Sequence, residues 1–355
     1  MVITKLMTIF PIVLLFIFHT STAQTRIKAG YWYTGSEFPS FRRVVGDKTY
    51  VSTFATAVKK SNPSVIPLLS IWTPNGEYGN SANSSEFLTM TEDPSYRKNF
   101  IESSIKTARR YGFEGLDLYV TTLLSTTENM NTSNLGVLFD EWRVAVDSEM
   151  KKSTNQEKLI LTMAGLYSPE LNSVSYPVES VSRSFDWVHV RSYDYHTPLT
   201  ENFTAAHGAL YDPSSHVNTD YGINEWIKRG LPASKLVVGL AYHGYAWTLV
   251  DPTNSAIGAP AKGVAITRDG SVSYEYIKKY LRTYGVKPVY NSTYVMNYVK
   301  LVLCGLGLMT WKLLELKLSM RKQKGFLVTM HHKCRMITTG NSRKLLVSID
   351  SGKYR

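Results

Sequence analysis

The chain has 355 residues, 43% hydrophobic and 19% charged, with a formal net charge of +12. That length suits one large α/β barrel or about two ordinary domains. The charge is concentrated rather than spread. Residues Lys300 to Arg355 carry 12 Lys and Arg against only Glu315 and Asp350, while residues 1–299 carry 28 basic and 26 acidic side chains. A nearly neutral body with a basic tail excludes a nucleic-acid-binding face on the body, and no nucleic-acid partner is expected. Both cysteines, Cys304 and Cys334, fall in the tail, so neither a disulfide framework nor a thiolate zinc site is implied for the rest. No cofactor or metal is expected.

Residues 1–23 have the pattern of a secretory signal: Lys5, an apolar core from Phe10 to Phe18, and a small-residue site at Ser21-Thr22-Ala23. The apolar run is shorter than the ~20 residues of a membrane-spanning helix, so a secreted protein with no membrane partner is expected. The sequons at Asn83, Asn131, Asn202 and Asn291 suit that compartment.

Short apolar runs then alternate with helical patterns. The spacing predicts strands at Ile27–Trp32, Val65–Ile71, Gly115–Val120, Leu159–Ala164, Trp187–Tyr193 and Leu236–Leu240. Helices are predicted at Val51–Ser61, Ser95–Tyr111, Leu135–Met150 and Asn224–Lys228. Such alternation indicates parallel βαβ units, in either a barrel or an open doubly wound sheet. No glycine-rich phosphate fingerprint follows the first strand, which argues against dinucleotide binding.

The segment Tyr111 to Thr121 reads Y-G-F-E-G-L-D-L-Y-V-T, an apolar alternation interrupted by Glu114 and Asp117. A buried strand carries an interior acid only where the acid is hydrogen-bonded or does chemistry, because an unpaired one costs several kcal/mol. This segment resembles the signature strand of glycoside hydrolase family 18, in particular the plant class V chitinases, whose pattern is D-x-x-D-x-D-x-E. Supporting strings are K-A-G-Y-W at Lys28, L-L-S-I at Leu68, D-W-V at Asp186, Y-D-Y at Tyr193 and Y-H-G-Y-A-W at Tyr242.

The resemblance implies a (β/α)8 TIM-barrel-like fold with a small α+β insertion after the seventh strand, here about Tyr242 to Tyr298. The G-V-A-I-T-R-D-G-S-V-S-Y run at Gly263 to Tyr274 belongs to it. The barrel is expected to be incomplete. Only Thr34 to Pro63 separates the first strand from L-L-S-I, Val51–Ser61 already reads as a helix, and no second strand is found there. Two glycines that follow S-I in the family are Trp72 and Thr73 here, and bulk at that place crowds a sugar cleft. After Tyr298 the similarity stops. Read one codon register over, Gly305–Trp311 and Leu327–Gly340 can encode strings that the family has there, so residues 300–355 are taken as an out-of-frame tail. Without an eighth strand, the first strand would be left unpaired.

In the family the last Glu of the signature protonates the glycosidic oxygen, and the neighbouring Asp orients the substrate's N-acetyl group, which attacks the anomeric carbon. On this chain the four acidic positions are Glu114, Asp117, Tyr119 and Thr121. Hydroxyls cannot replace a carboxylic acid that donates near neutral pH. Asp117 lies deeper along the strand and is expected to be a structural acid, and Glu128 a solvated one. His189 lacks suitably spaced partners for metal ligation. The sugar-contacting positions of the family correspond to Tyr193 and Asp194, with Arg191 where the family has Met, and to Tyr245 and Trp247 on an aromatic rim. Trp32 either stacks on sugar or packs in the core. The expected partner is chitin or N-acetylglucosamine oligosaccharides, bound by a monomer. Three readings stay open: a chitinase, a non-catalytic lectin-like binder, and a degenerate gene product.

Overall fold

The computed structural model describes residues 29, 31, 48–72, 87, 90–121, 132–152, 157–171, 173–300, 304–308 and 327–328, the last two segments by their backbone. The 1–23 segment, Trp32, Thr73, Glu128, Asn83, Asn131 and most of the tail lie outside the described residues, as does the side chain of Trp72.

A parallel sheet runs in the order β1 (Leu68–Trp72), β2 (Gly115–Tyr119), β3 (Ile160–Leu166), β6 (Trp187–Arg191), β7 (Leu236–Val238) and β14 (Leu327–Val328). Helices α1 (Lys48–Ser61), α2 (Pro94–Arg110), α3 (Thr132–Lys152), α4 (Val178–Ser184) and α5 (Thr219–Lys228) connect these strands or precede them. The fold is therefore α/β and TIM-barrel-like, and among the described residues the barrel is not closed. Between β3 and α4, β4 (Glu170–Leu171) and β5 (Val174–Ser175) form a small hairpin.

Local chemistry sets the helix ends. Asp93 caps α2, its carboxylate accepting from the amides of Ser95 and Tyr96 at 2.7 and 3.0 Å, with Pro94 opening the helix. Asn218 caps α5 by accepting from the Tyr221 amide at 2.9 Å. That cap explains why α5 begins at Thr219, five residues before the apolar pattern predicts.

The two faces of the sheet have separate tasks. Leu116, Leu118, Val120, Val188 and Val190 point outward into the core beneath the helices, with Phe139, Trp142 and Trp226 wholly buried there. At about 1.5–3 kcal/mol per large buried side chain, this layer supplies the main favourable term for folding. Arg97 and Arg109 fasten α2 to α3 through paired hydrogen bonds to Glu141 and Glu149.

The alternate residues point inward, and parallel register stacks them in layers. Ser70, Asp117 and Thr162 lie abreast on β1, β2 and β3, and Tyr119, Ala164 and His189 lie abreast one layer further on.

A second sheet is antiparallel: β10 (Ser271–Ser273), β8 (His243–Leu249), β13 (Cys304–Leu308), β12 (Met296–Lys300) and β11 (Val289–Asn291), with β9 (Ala261–Val264) also on β8. Helix α6 (Tyr274–Tyr284) covers it through Ile277, which packs with Ala246, Val272 and Val299. It opens on a Ser273 cap and closes on Gly285 in the left-handed region at φ 63°.

Two short segments of the tail pair with the body of the chain. The antiparallel sheet does not end near Tyr298, because Cys304–Leu308 inserts between β8 and β12. An eighth-strand place is also occupied, by Leu327–Val328 running parallel to β7. Strand pairing uses backbone groups that every residue but proline carries in full, so a tail foreign in composition can still add a strand.

Candidate functional site

The inner face of β2 carries Asp117 and Tyr119, and Thr121 follows two residues past its end. Asp117 is 2% exposed, and three hydroxyls donate to its carboxylate: Tyr31 at 3.0 Å and Ser70 at 2.7 Å to Oδ2, and Thr162 at 2.6 Å to Oδ1. Burial, then the adjacent Asp117 charge, pushes the Tyr31 phenol well above its ordinary value and keeps it a donor. Asp117 is thus a buried, hydrogen-bonded acid, as its place on the strand suggests.

Tyr119 sits edge-to-face with Tyr31 at 5.8 Å. Thr121, just past the strand, is 1% exposed, and its hydroxyl has no hydrogen-bond partner among the described residues. Glu114 lies apart from all of these. It is half-exposed, ion-paired with Lys59, and its amide bonds to Pro67 at the opposite end of the sheet.

His189 faces Tyr31 edge-to-face at 5.8 Å, and Trp187 donates to its Nε2 at 2.9 Å. Burial holds its pKa below the ordinary value, against a smaller upward pull from Asp117, so the ring is neutral with its proton on Nδ1.

Beyond β6 the chain turns sharply at Asp194, whose φ of 59° lies in the left-handed region that Asp tolerates better than most residues. Its Oδ2 accepts from Arg191 Nη2 at 2.6 Å, and its Oδ1 lies 2.7 Å from His243 Nε2. Burial alone would raise the Asp194 pKa, but His243 and then Arg191 outweigh it and hold the carboxyl well below the usual range. Burial likewise opposes the Arg191 charge, yet Asp194 prevails and the guanidinium stays well above its ordinary value.

Arg191 also lies over the Tyr193 ring at 5.6 Å. His207 stands 3.8 Å from Asp194 through Nδ1, held there because the Tyr195 amide bonds to the His207 carbonyl. Tyr245, half-buried on β8, packs edge-to-face on both His207 and His243.

Trp247, expected on the aromatic rim, is 1% exposed and packs with Ala205 and Ala261. Tyr193, 6% exposed, is also mostly covered. Sequence reasoning missed Tyr31, His207 and His243. The strict alternation of β8 could have found His243, because it shares a face with Tyr245. Nothing in the local sequence marks His207.

The sheet, with its layered polar interior and the signature residues on its second strand, defines the class as a TIM-barrel-like α/β protein. The family model for glycosyl hydrolases family 18 matches residues 12–326, and the chain belongs to that family. The match runs past Tyr298, where similarity was expected to stop. The chain is 38% identical over 321 residues to a class V chitinase of Arabidopsis thaliana, covering 83% of this chain and 82% of that one. It is 35% identical to the class V chitinase from Nicotiana tobaccum, with a TM-score of 0.74 over 81% of each chain; one of those structures is a mutant in complex with NAG4. A chitinase-like agglutinin from Robinia pseudoacacia matches at 33% identity and a TM-score of 0.71, over 81% of this chain and 82% of that one.

Proposed function

We propose that this chain is a secreted chitinase-like protein that binds N-acetylglucosamine oligosaccharides without cleaving them. One observation carries the reading: the position of the family's proton donor holds Thr121, a buried hydroxyl. A general acid contributes ~10²–10⁴-fold in rate, and Tyr119 removes a second carboxylate beside it. Among the described residues of the site, neither Asp117 nor Asp194 is free to substitute. Asp117 is saturated by three hydroxyls, and Asp194 is engaged by Arg191 and His243.

Binding is supported by inward aromatic and polar groups, namely Tyr31, Tyr119, Tyr245 and Asp194, of the kind that orient a sugar without reacting. The relatives include both a chitinase structure in complex with NAG4 and a chitinase-like agglutinin. Secretion rests on the pattern of residues 1–23, and recovery of the expressed chain from culture medium with Gln24 at its N-terminus tests it.

Chitotetraose incubated with the purified chain tests the central part. Saturable heat of binding with no shorter oligomers after prolonged incubation is expected. Release of chitobiose that Thr121→Val leaves unchanged contradicts the proposal. A second reading, a degenerate product, is favoured by the altered tail and by a sheet that does not close among the described residues; a chain lacking a cooperative unfolding transition would leave that reading standing.

A further inference from the structure

The groups around Asp194 do more than position a carboxylate. Asp194, His207 and His243 each offer one donor atom, and these atoms all lie within 4.8 Å of one another. They come from three separate segments: the turn after β6, the loop before α5, and the start of β8. We propose that they form a binding site for a divalent first-row transition-metal ion, taking Asp194 Oδ1 and one imidazole nitrogen from each histidine.

The donor set fits that class of ion. Two imidazoles and a carboxylate suit zinc, nickel or cobalt, whereas magnesium and calcium favour all-oxygen surroundings. Bonds of ~2.0–2.2 Å to zinc in tetrahedral geometry place donors roughly 3.3–3.5 Å apart. The observed separations from Asp194 Oδ1, 2.7 Å to His243 and 3.8 Å to His207, bracket that value. Small side-chain rotations bring both onto one ion, exchanging the His243–Asp194 hydrogen bond for two coordinate bonds.

Surrounding groups orient the donors as outer partners do in metal sites. Arg191 holds the other carboxylate oxygen, Oδ2, leaving Oδ1 for the ion. The ring of Tyr245 wedges His207 and His243 in place. His207 is fully buried while His243 is 28% exposed, so three ligands come from the protein and the solvent side leaves room for water as a fourth. An ion here would tie the end of the parallel sheet to the antiparallel one.

The test is equilibrium dialysis of the full chain against zinc, with magnesium as control, alongside the thermal midpoint. One equivalent of zinc with micromolar or tighter affinity, a raised midpoint and no magnesium binding are expected. His207→Gln and His243→Gln should each weaken zinc binding by at least about tenfold. The sequence also carries His331, His332 and Cys334, so the triple variant His331→Gln/His332→Gln/Cys334→Ser is needed and should bind zinc as the parent does.

Should a cleft variant fail to fold, the visible spectrum of the cobalt-loaded parent chain decides, because thiolate ligation adds a charge-transfer band that a His–His–carboxylate site lacks. No saturable zinc binding, binding lost only in the triple variant, or a thiolate band would each overturn the proposal.

Discussion

At the scale of single residues, Asp117 shows how a barrel interior holds a buried acid. It accepts from the hydroxyls of Tyr31, Ser70 on β1 and Thr162 on β3, an arrangement that suits a structural role. Asp117→Ala strands those hydroxyls and should cost roughly 2–4 kcal/mol, while Asp117→Asn, which keeps an acceptor and adds a donor, should cost less. Urea denaturation of both variants checks the order.

His189 gives the pH dependence. Its folded pKa lies below the unfolded value near ~6.5, so the unfolded chain takes up this proton first as pH falls. Stability should therefore decline below about pH 6.5, by at most ~1.4 kcal/mol per pH unit from this group, until the folded ring also protonates. His189→Gln should remove that leg of a stability-versus-pH curve measured against the parent, and an unchanged slope would contradict the assignment.

Elements were legible where the periodicity was strong. The strands Gly115–Tyr119 and Trp187–Arg191 and the long helices α2 and α3 fall within a few residues of their predicted limits, because a period of two or of 3.6 is written directly in the side chains. The early start of α5 was not legible, since residues 219–223 carry the helix before its apolar stripe is long enough to recognise. The strand at Cys304–Leu308 was hidden for a different reason: it is specified by the open edges of β8 and β12, not by its own residues.

The metal-ligand cluster was equally hidden, because spacing along the chain says nothing about three donors supplied by three loops and strands. One element-scale contact is exacting. A Cβ added at Gly222 in α5 would sit 2.1 Å from the Tyr167 carbonyl oxygen, which only helix displacement can relieve. Gly222→Ala should destabilise by about 2–4 kcal/mol despite alanine's better helix propensity, as read from the denaturation midpoint.

For the molecule as a whole, the family fold persists, and the proposed loss of the family's proton donor turns on one residue, Thr121. The six-stranded parallel sheet, its helical layer and its inward polar stack are the parts on which the proposed sugar binding rests. Ligand binding to the folded state alone should then raise stability by ~2.7 kcal/mol at a hundredfold excess over the dissociation constant, visible as a higher thermal midpoint with chitotetraose than without.

The most direct test rebuilds the lost groups. Product release from chitotetraose should be undetectable for the parent chain and for Thr121→Val, and should emerge in Tyr119→Asp/Thr121→Glu, rising by at least ~10²-fold over background. Equal release by the parent and Thr121→Val, at a rate matching an intact chitinase, would contradict the account.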